Sequence, residues 1–123
     1  MTRDTVQEAR PSLVGILDPR AHQAALDEVL FGIEEEGISW VIRQESCEDV
    51  RATAYVAAQE SRLAVGFAAD ARLLVLHQRN LPPHKPFLTL ENYATYAAEQ
   101  LKDFGCNAAR LFKGQPLKEC GNE

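Results

Sequence analysis

The feature that most narrows what this chain can fold into is a link of three residues. Two apolar segments, residues 63–69 and 73–77, each read as a buried strand, and only Asp70-Ala71-Arg72 separates them. So short a link cannot hold a crossover helix, so the two strands must be antiparallel neighbours. Upstream the rhythm differs. Residues 13–17 and 38–43 also read as strands, but a helical stripe lies between them: Leu26, Val29, Leu30 and Ile33 fall at i, i+3, i+4 and i+7. Asp18 is the expected N-cap, Pro19 the first helical residue, and Gly37 the left-handed stop after Glu36. Ser46 and Asp49 resemble a capping box ahead of a second stripe, Val50, Ala54, Ala57 and Ala58, ending near Ser61.

After the strand pair, residues 78–87 carry Pro82, Pro83 and Pro86 and read as a rigid polar loop. Thr89 is the expected cap of a third helix marked by Tyr93, Tyr96, Ala97, Leu101 and Phe104 and stopped at Gly105. Asn107 caps a final short helix that reaches Lys113 and stops at Gly114. The order β-α-β-α-β-β-α-α predicts an α/β layer structure with helices packed on a small mixed sheet. The expected organisation is a single domain over residues 12–118, between a flexible tail at 1–11 and a C-terminal tail at 119–123.

Composition enters as a set of exclusions. With 13 Lys+Arg against 18 Asp+Glu the formal net charge is -5, which argues against nucleic acid as the main partner. No apolar run approaches the roughly 18 residues of a membrane helix, and the start of the chain reads as neither signal peptide nor anchor. The three cysteines, Cys47, Cys106 and Cys120, lack CxxC spacing and suit a reduced cytoplasmic setting, while His22, His77 and His84 fit no zinc pattern. No phosphate-binding loop, nucleophile elbow or HExxH motif is present.

One helix end breaks the usual rules. Glu34, Glu35 and Glu36 stand together at a helix C-terminus, where the dipole favours cations. With Leu26 at 0° and 100° per residue, Glu35 points to about 180°, and Ala24, Glu28, Phe31 and Gly32 to about 160°, 200°, 140° and 240°. An outward Phe beside Ala and Gly suits an interface, with a partner chain or with a second copy of the isolated chain. The same residues also fit an ordinary solvated face with one exposed aromatic. On the interface reading Glu35 meets a cation, either a basic side chain or a metal ion. A single outward carboxylate supplies only one of the several oxygens a hard cation needs, so a metal site would have to be shared. Asp18 and Asp70, at strand ends where α/β sheets bind ligands, are the alternative: a carboxylate-based active site.

Four segments, Gly32-Ile33-Glu34-Glu35-Glu36-Gly37-Ile38, Leu63-Ala64-Val65-Gly66-Phe67-Ala68-Ala69-Asp70, Leu74-Val75-Leu76-His77-Gln78-Arg79-Asn80-Leu81-Pro82 and Asn107-Ala108-Ala109-Arg110-Leu111-Phe112-Lys113-Gly114, resemble in order and spacing the small subunit of the diol and glycerol dehydratase reactivating factor. The resemblance implies a three-layer α/β/α domain with a small mixed sheet, like the dehydratase medium subunit and anticodon-binding domains. It implies a non-catalytic subunit that joins an ATP-hydrolysing large subunit in a two-plus-two heterotetramer, with ATP or ADP on that partner only. The complex would release damaged cobalamin from adenosylcobalamin-dependent dehydratase by subunit exchange, with the dehydratase large subunit a transient partner. It further implies that Glu35, the middle Glu of the family's EEEG motif, is a ligand to a Mg²⁺ shared with the large subunit, beside an interface formed by Glu28, Phe31, Gly32 and Glu35. The implied location is cytoplasmic, with association with a bacterial microcompartment left open. The rival readings are the medium subunit of the dehydratase itself, which is usually longer than 123 residues, and a stand-alone small-ligand enzyme using Asp18 or Asp70.

Overall fold

The computed structural model describes residues 10–118, so the expected tails, apart from residues 10 and 11, lie outside the described residues. In chain order the elements are β1 (Ser12–Leu17), α1 (Gln23–Glu35), β2 (Ser39–Gln44), α2 (Val50–Glu60), β3 (Val65–Ala69), β4 (Leu73–Gln78), β5 (Leu88–Glu91), a 3-10 turn at Tyr93–Thr95 and α3 (Ala98–Lys113). The sheet order is β2-β1-β3-β4-β5. β1 runs parallel to both β2 and β3, whereas the β3–β4 and β4–β5 pairs are antiparallel. The three-residue link makes the expected tight reversal: Asp70 Oδ1 accepts the amide N–H groups of Arg72 and Leu73 at 2.8 and 2.7 Å.

Alternation along the strands divides the core in two. Leu13, Leu17, Phe67, Leu74 and Leu76 face α1 and α3, while Ile16, Ala68, Leu73 and Val75 face α2. Helices therefore cover both faces of the sheet, giving three layers. His77 is buried in β4; its Nδ1 accepts the Gln78 N–H at 2.9 Å, which leaves Nε2–H to donate to Pro83 O at 3.1 Å and tie the proline-rich loop to the sheet.

Several expectations are corrected. Residues 88–91 form a fifth strand, pairing Leu90 with Leu74 and Leu88 with Leu76, rather than leading from a Thr89 cap into a helix. The two expected C-terminal helices are a 3-10 turn and one continuous α3. Its Gly105 is not a stop but the place where α3 meets α1: a Cβ on Gly105 would fall on the carbonyl oxygen of Val29, and one on Gly32 on that of Lys102. Asp18 is not a helix cap either. α1 starts at Gln23 after His22, and α2 is capped by Asp49, whose Oδ1 accepts from Arg51 and Ala52, rather than by Ser46.

The Asp18 carboxylate, buried at the end of β1, instead pins two loops. It accepts the Cys47 N–H at 2.8 Å and the Arg20 N–H at 2.8 Å, and binds the Arg20 guanidinium at 2.9 and 3.2 Å. The Arg20 guanidinium, helped by those two amides, holds the carboxyl well below the usual carboxylate range.

Two measurements check this architecture. In urea denaturation, Gly32→Ala and Gly105→Ala each lose about 1–3 kcal/mol or more, since the added methyl meets backbone that cannot move aside. Ala64→Gly, at φ 65°, gains about 1 kcal/mol. For Asp18 the folded pKa lies below the unfolded one, so its contribution is complete above about pH 4 and fades as the pH falls further. Asp18→Asn should therefore lower the urea midpoint at pH 7, and the gap from the parent should narrow towards pH 2.5; a gap constant over that range would refute the assignment.

Candidate functional site

The end of α1 and the facing stretch of α3 hold the charged residues singled out in the sequence. Gly37, at φ 78°, ends the helix as expected. Each acid before it has a partner in this chain. Glu34 Oε2 accepts the Trp40 indole N–H at 3.0 Å, and Glu35 Oε2 lies 3.0 Å from Lys102 Nζ. Glu36 is the most enclosed: Arg110 Nε donates to Oε2 at 3.0 Å, and Lys113 Nζ reaches Oε1 at 2.9 Å and the Glu36 carbonyl oxygen at 3.0 Å. The Lys113 ammonium, opposed in part by desolvation and reinforced by Arg110, lowers the Glu36 carboxyl below its ordinary value. Two cations from the last turn of α3 thus answer the unfavourable dipole at the end of α1.

The outer face is only partly as the helical arithmetic draws it. Phe31 is 50% exposed and the Glu35 side chain 51% exposed, but Glu28 is half-buried and Gly32 fully so. Gly32 belongs inside because α1 has two buried directions, one onto the sheet and one onto α3, and a wheel centred on Leu26 records only the first. The close approach that Gly32 permits is made by the chain's own Lys102 and Cys106 backbone.

Sequence reasoning missed Lys102 as the partner of Glu35, and Arg110 and Lys113 as partners of Glu36; the basic residues are visible in α3, but not which helix they meet. The distance between Lys102 and Glu35 shows that the carboxylate has room for a cation. Among the described residues no group of three or more His, Cys, Asp or Glu side chains could hold a metal ion. Glu35 by itself offers too few oxygens for a hard cation.

Asp18 and Asp70 do come together at the carboxyl ends of β1 and β3, and Asp18 N–H donates to Ala69 O at 2.9 Å. Asp18 has both oxygens engaged by Arg20 and the Cys47 amide, and Asp70 Oδ1 holds the turn. The space towards α1 is filled by buried Tyr93, whose hydroxyl donates to Asp70 O at 2.7 Å and accepts from His22 N–H at 2.9 Å. Cys47 and Cys106 are buried, and desolvation pushes both thiols up, away from the nucleophilic thiolate. No helix among the described residues is long and apolar enough to cross a membrane.

Comparison with known proteins agrees with this layout. The model of the dehydratase medium subunit family matches residues 10–118. The propanediol dehydratase-reactivating factor small subunit of Citrobacter freundii is 44% identical over 95 residues, covering 76% of this chain and 78% of the relative. The diol dehydratase-reactivating factor small subunit of Klebsiella michiganensis is 42% identical over 96 residues, covering 78% and 75%. Among solved structures, diol dehydratase-reactivating factor complexed with ADP and Mg²⁺ superposes with a TM-score of 0.81 at 36% identity, over 89% of this chain and 98% of that one. Glycerol dehydratase reactivase gives 0.83 at 32% identity, over 90% and 99%. The fold, the two linked signature segments and these relatives lead to one conclusion: the chain belongs to the dehydratase medium subunit family, together with the small subunits of the dehydratase-reactivating factors.

Proposed function

We propose that this chain is the small, non-catalytic subunit of a reactivase for an adenosylcobalamin-dependent diol or glycerol dehydratase. It binds a large ATP-hydrolysing subunit and yields its place when the dehydratase exchanges subunits and releases damaged cobalamin. The observation that carries the reading is the pairing of close reactivating-factor relatives with a helix end that keeps Phe31 and Glu35 in solvent while Glu36 is locked inside. A half-exposed Phe beside an exposed carboxylate supplies an apolar anchor and a charge for an incoming surface.

In this reading the assembly is a two-plus-two heterotetramer in the cytoplasm, free or associated with a bacterial microcompartment, and the nucleotide resides on the large subunit. Phe31, Glu35 and the half-buried Glu28 meet that subunit, with Gly32 acting from beneath by setting how closely α3 approaches. Glu35 is the residue that would hold a Mg²⁺ at the subunit boundary, the remaining ligands coming from the partner or water. Such an ion supplies charge bridging between two surfaces. Lys102 fills that role in the free chain and must turn aside when Glu35 takes a divalent cation. With both Asp18 oxygens and Asp70 Oδ1 engaged, little supports a stand-alone enzyme there.

Co-purification with the large subunit in the presence of ADP and Mg²⁺ tests the assignment, and a folded chain that forms no complex removes it. Within the complex, Glu35→Gln is expected to weaken association by roughly tenfold or more in Mg²⁺ and to abolish the effect of adding Mg²⁺. Lys102→Met keeps the aliphatic stem and should lower the Mg²⁺ concentration needed for association by roughly two- to fivefold.

A further inference from the structure

The segment after α3 turns back on the helix that precedes it. Gly114, at φ 73°, ends α3 in the left-handed conformation, and residues 115–118 then return along the same helix. Their contacts fall in reverse order on α3. Gln115 N–H donates to Arg110 O at 3.1 Å, Pro116 O accepts from Arg110 Nη1 at 3.3 Å, and Lys118 reaches Asn107 and then Asp103, with Nζ 3.6 Å from the Asp103 carboxylate. Asn107 meets the main chain of Lys118. Its Oδ1 accepts the Lys118 N–H at 2.6 Å while its Nδ2 donates to Lys118 O at 2.7 Å, so one carboxamide holds both backbone groups of a single residue.

What holds this segment differs from what holds the core. Residues 114–118 are all exposed, Leu117 included, so polar contacts with α3 fasten them rather than apolar burial. A stretch of that kind belongs to the least stable part of a fold, the part that opens first. Asn107 is nevertheless 2% exposed, and a buried carboxamide is costly to strip of its bonds, so the docked arrangement is the resting one. Arg110 ties this arrangement to the end of α1. Its Nη1 donates to Pro116 O while its Nε donates to Glu36 at 3.0 Å. Lys113, the other cation on Glu36, directly precedes the Gly114 reversal. Both groups that enclose Glu36 therefore lie in the helical turn that the returning segment closes.

We infer that residues 115–118 are a detachable strap, latched by Asn107 and coupled through Arg110 to the charged end of α1. With the strap down, Arg110 is anchored at two points and Glu36 stays enclosed. With the strap up, Arg110 loses Pro116, Gln115 no longer ties the last turn, and Glu36 loosens beside the rim carboxylate of Glu35. The strap thus sets how many carboxylates that helix end presents. Because the latch reads main chain, it is indifferent to the side chain at position 118. The coupling rests on contacts within the chain and holds whatever protein meets that end.

Nitrogen-15 NMR of the full chain tests the latch and the coupling together. Lys118→Pro removes the N–H that Asn107 accepts, and Asn107→Leu removes the carboxamide itself. In both, the backbone order parameters of residues 115 and 117 should fall from about 0.85 to below about 0.6. The Arg110 Nε–H should exchange with solvent roughly threefold faster or more, because its hydrogen bond to Glu36 opens more often. Lys118→Gln keeps the main-chain latch and should match the parent in both readouts. A segment still ordered in the folded variants, a Lys118→Gln chain as loose as Lys118→Pro, or an Arg110 Nε–H exchanging at the parent rate while the segment moves would each overturn the inference. Because Lys118 is exposed, Lys118→Pro keeps the fold and decides the matter if Asn107→Leu fails to fold.

Discussion

Two helices that touch backbone to backbone set the rest of this structure. Where Gly32 of α1 meets Lys102, and Gly105 of α3 meets Val29, there is no space for a single methyl group. That contact fixes how far along α1 the third helix lies. Glu36 is thereby delivered to Arg110 and Lys113, Glu35 is left at the rim beside Lys102, and Phe31 is left uncovered. The two segments with the strongest family character, around 32–38 and 107–114, are thus the two sides of one contact. The charges that look misplaced on α1 alone become ordinary once α3 is docked.

The fold was legible wherever a local rule had no competitor. The short link at 70–72 admits only an antiparallel pair, Gly37 and Gly114 both stop helices in the left-handed conformation, and the stripe at Leu26, Val29, Leu30 and Ile33 is buried as its spacing requires. It was illegible where one residue serves two rules. Gly105 reads as a terminator by propensity but is the crossing point of a continuous helix, because tertiary contact overrides local preference. Thr89 reads as a cap, yet the alternation of Leu88 and Leu90 around it belongs to an edge strand. Asp18 before Pro19 has the look of a helix start, and only the distant Cys47 amide shows what the carboxylate is for. At the candidate site, the exposure of Phe31 and Glu35 followed from helical geometry, whereas the burial of Gly32 and the contact with Lys102 depend on where another helix lies.

The same sheet that reads as a ligand-binding scaffold has its customary crevice closed. In doubly wound sheets the gap at the carboxyl ends of neighbouring parallel strands is the usual place for substrates. Here Asp18 spends its oxygens on Cys47 and Arg20, and Tyr93 bridges Asp70 and His22 from the α1 side. What stays open lies farther out, at a helix end that leaves Phe31 and Glu35 exposed.

The Arg110–Glu36 contact joins residues 74 positions apart in the chain. During synthesis, β1, α1 and β2 can pair as soon as they emerge, but Glu35 and Glu36 at the end of α1 meet their cations only after α3 has been made. Closing so long a loop carries an entropic penalty that must be met before the contact yields anything, so the docking of α3 belongs to the late stage of folding. Until α3 docks, Glu35 and Glu36 lack the cations that answer them, whereas Glu34 already has Trp40. The charge pattern at this helix end is in this way a sign that α3 has docked.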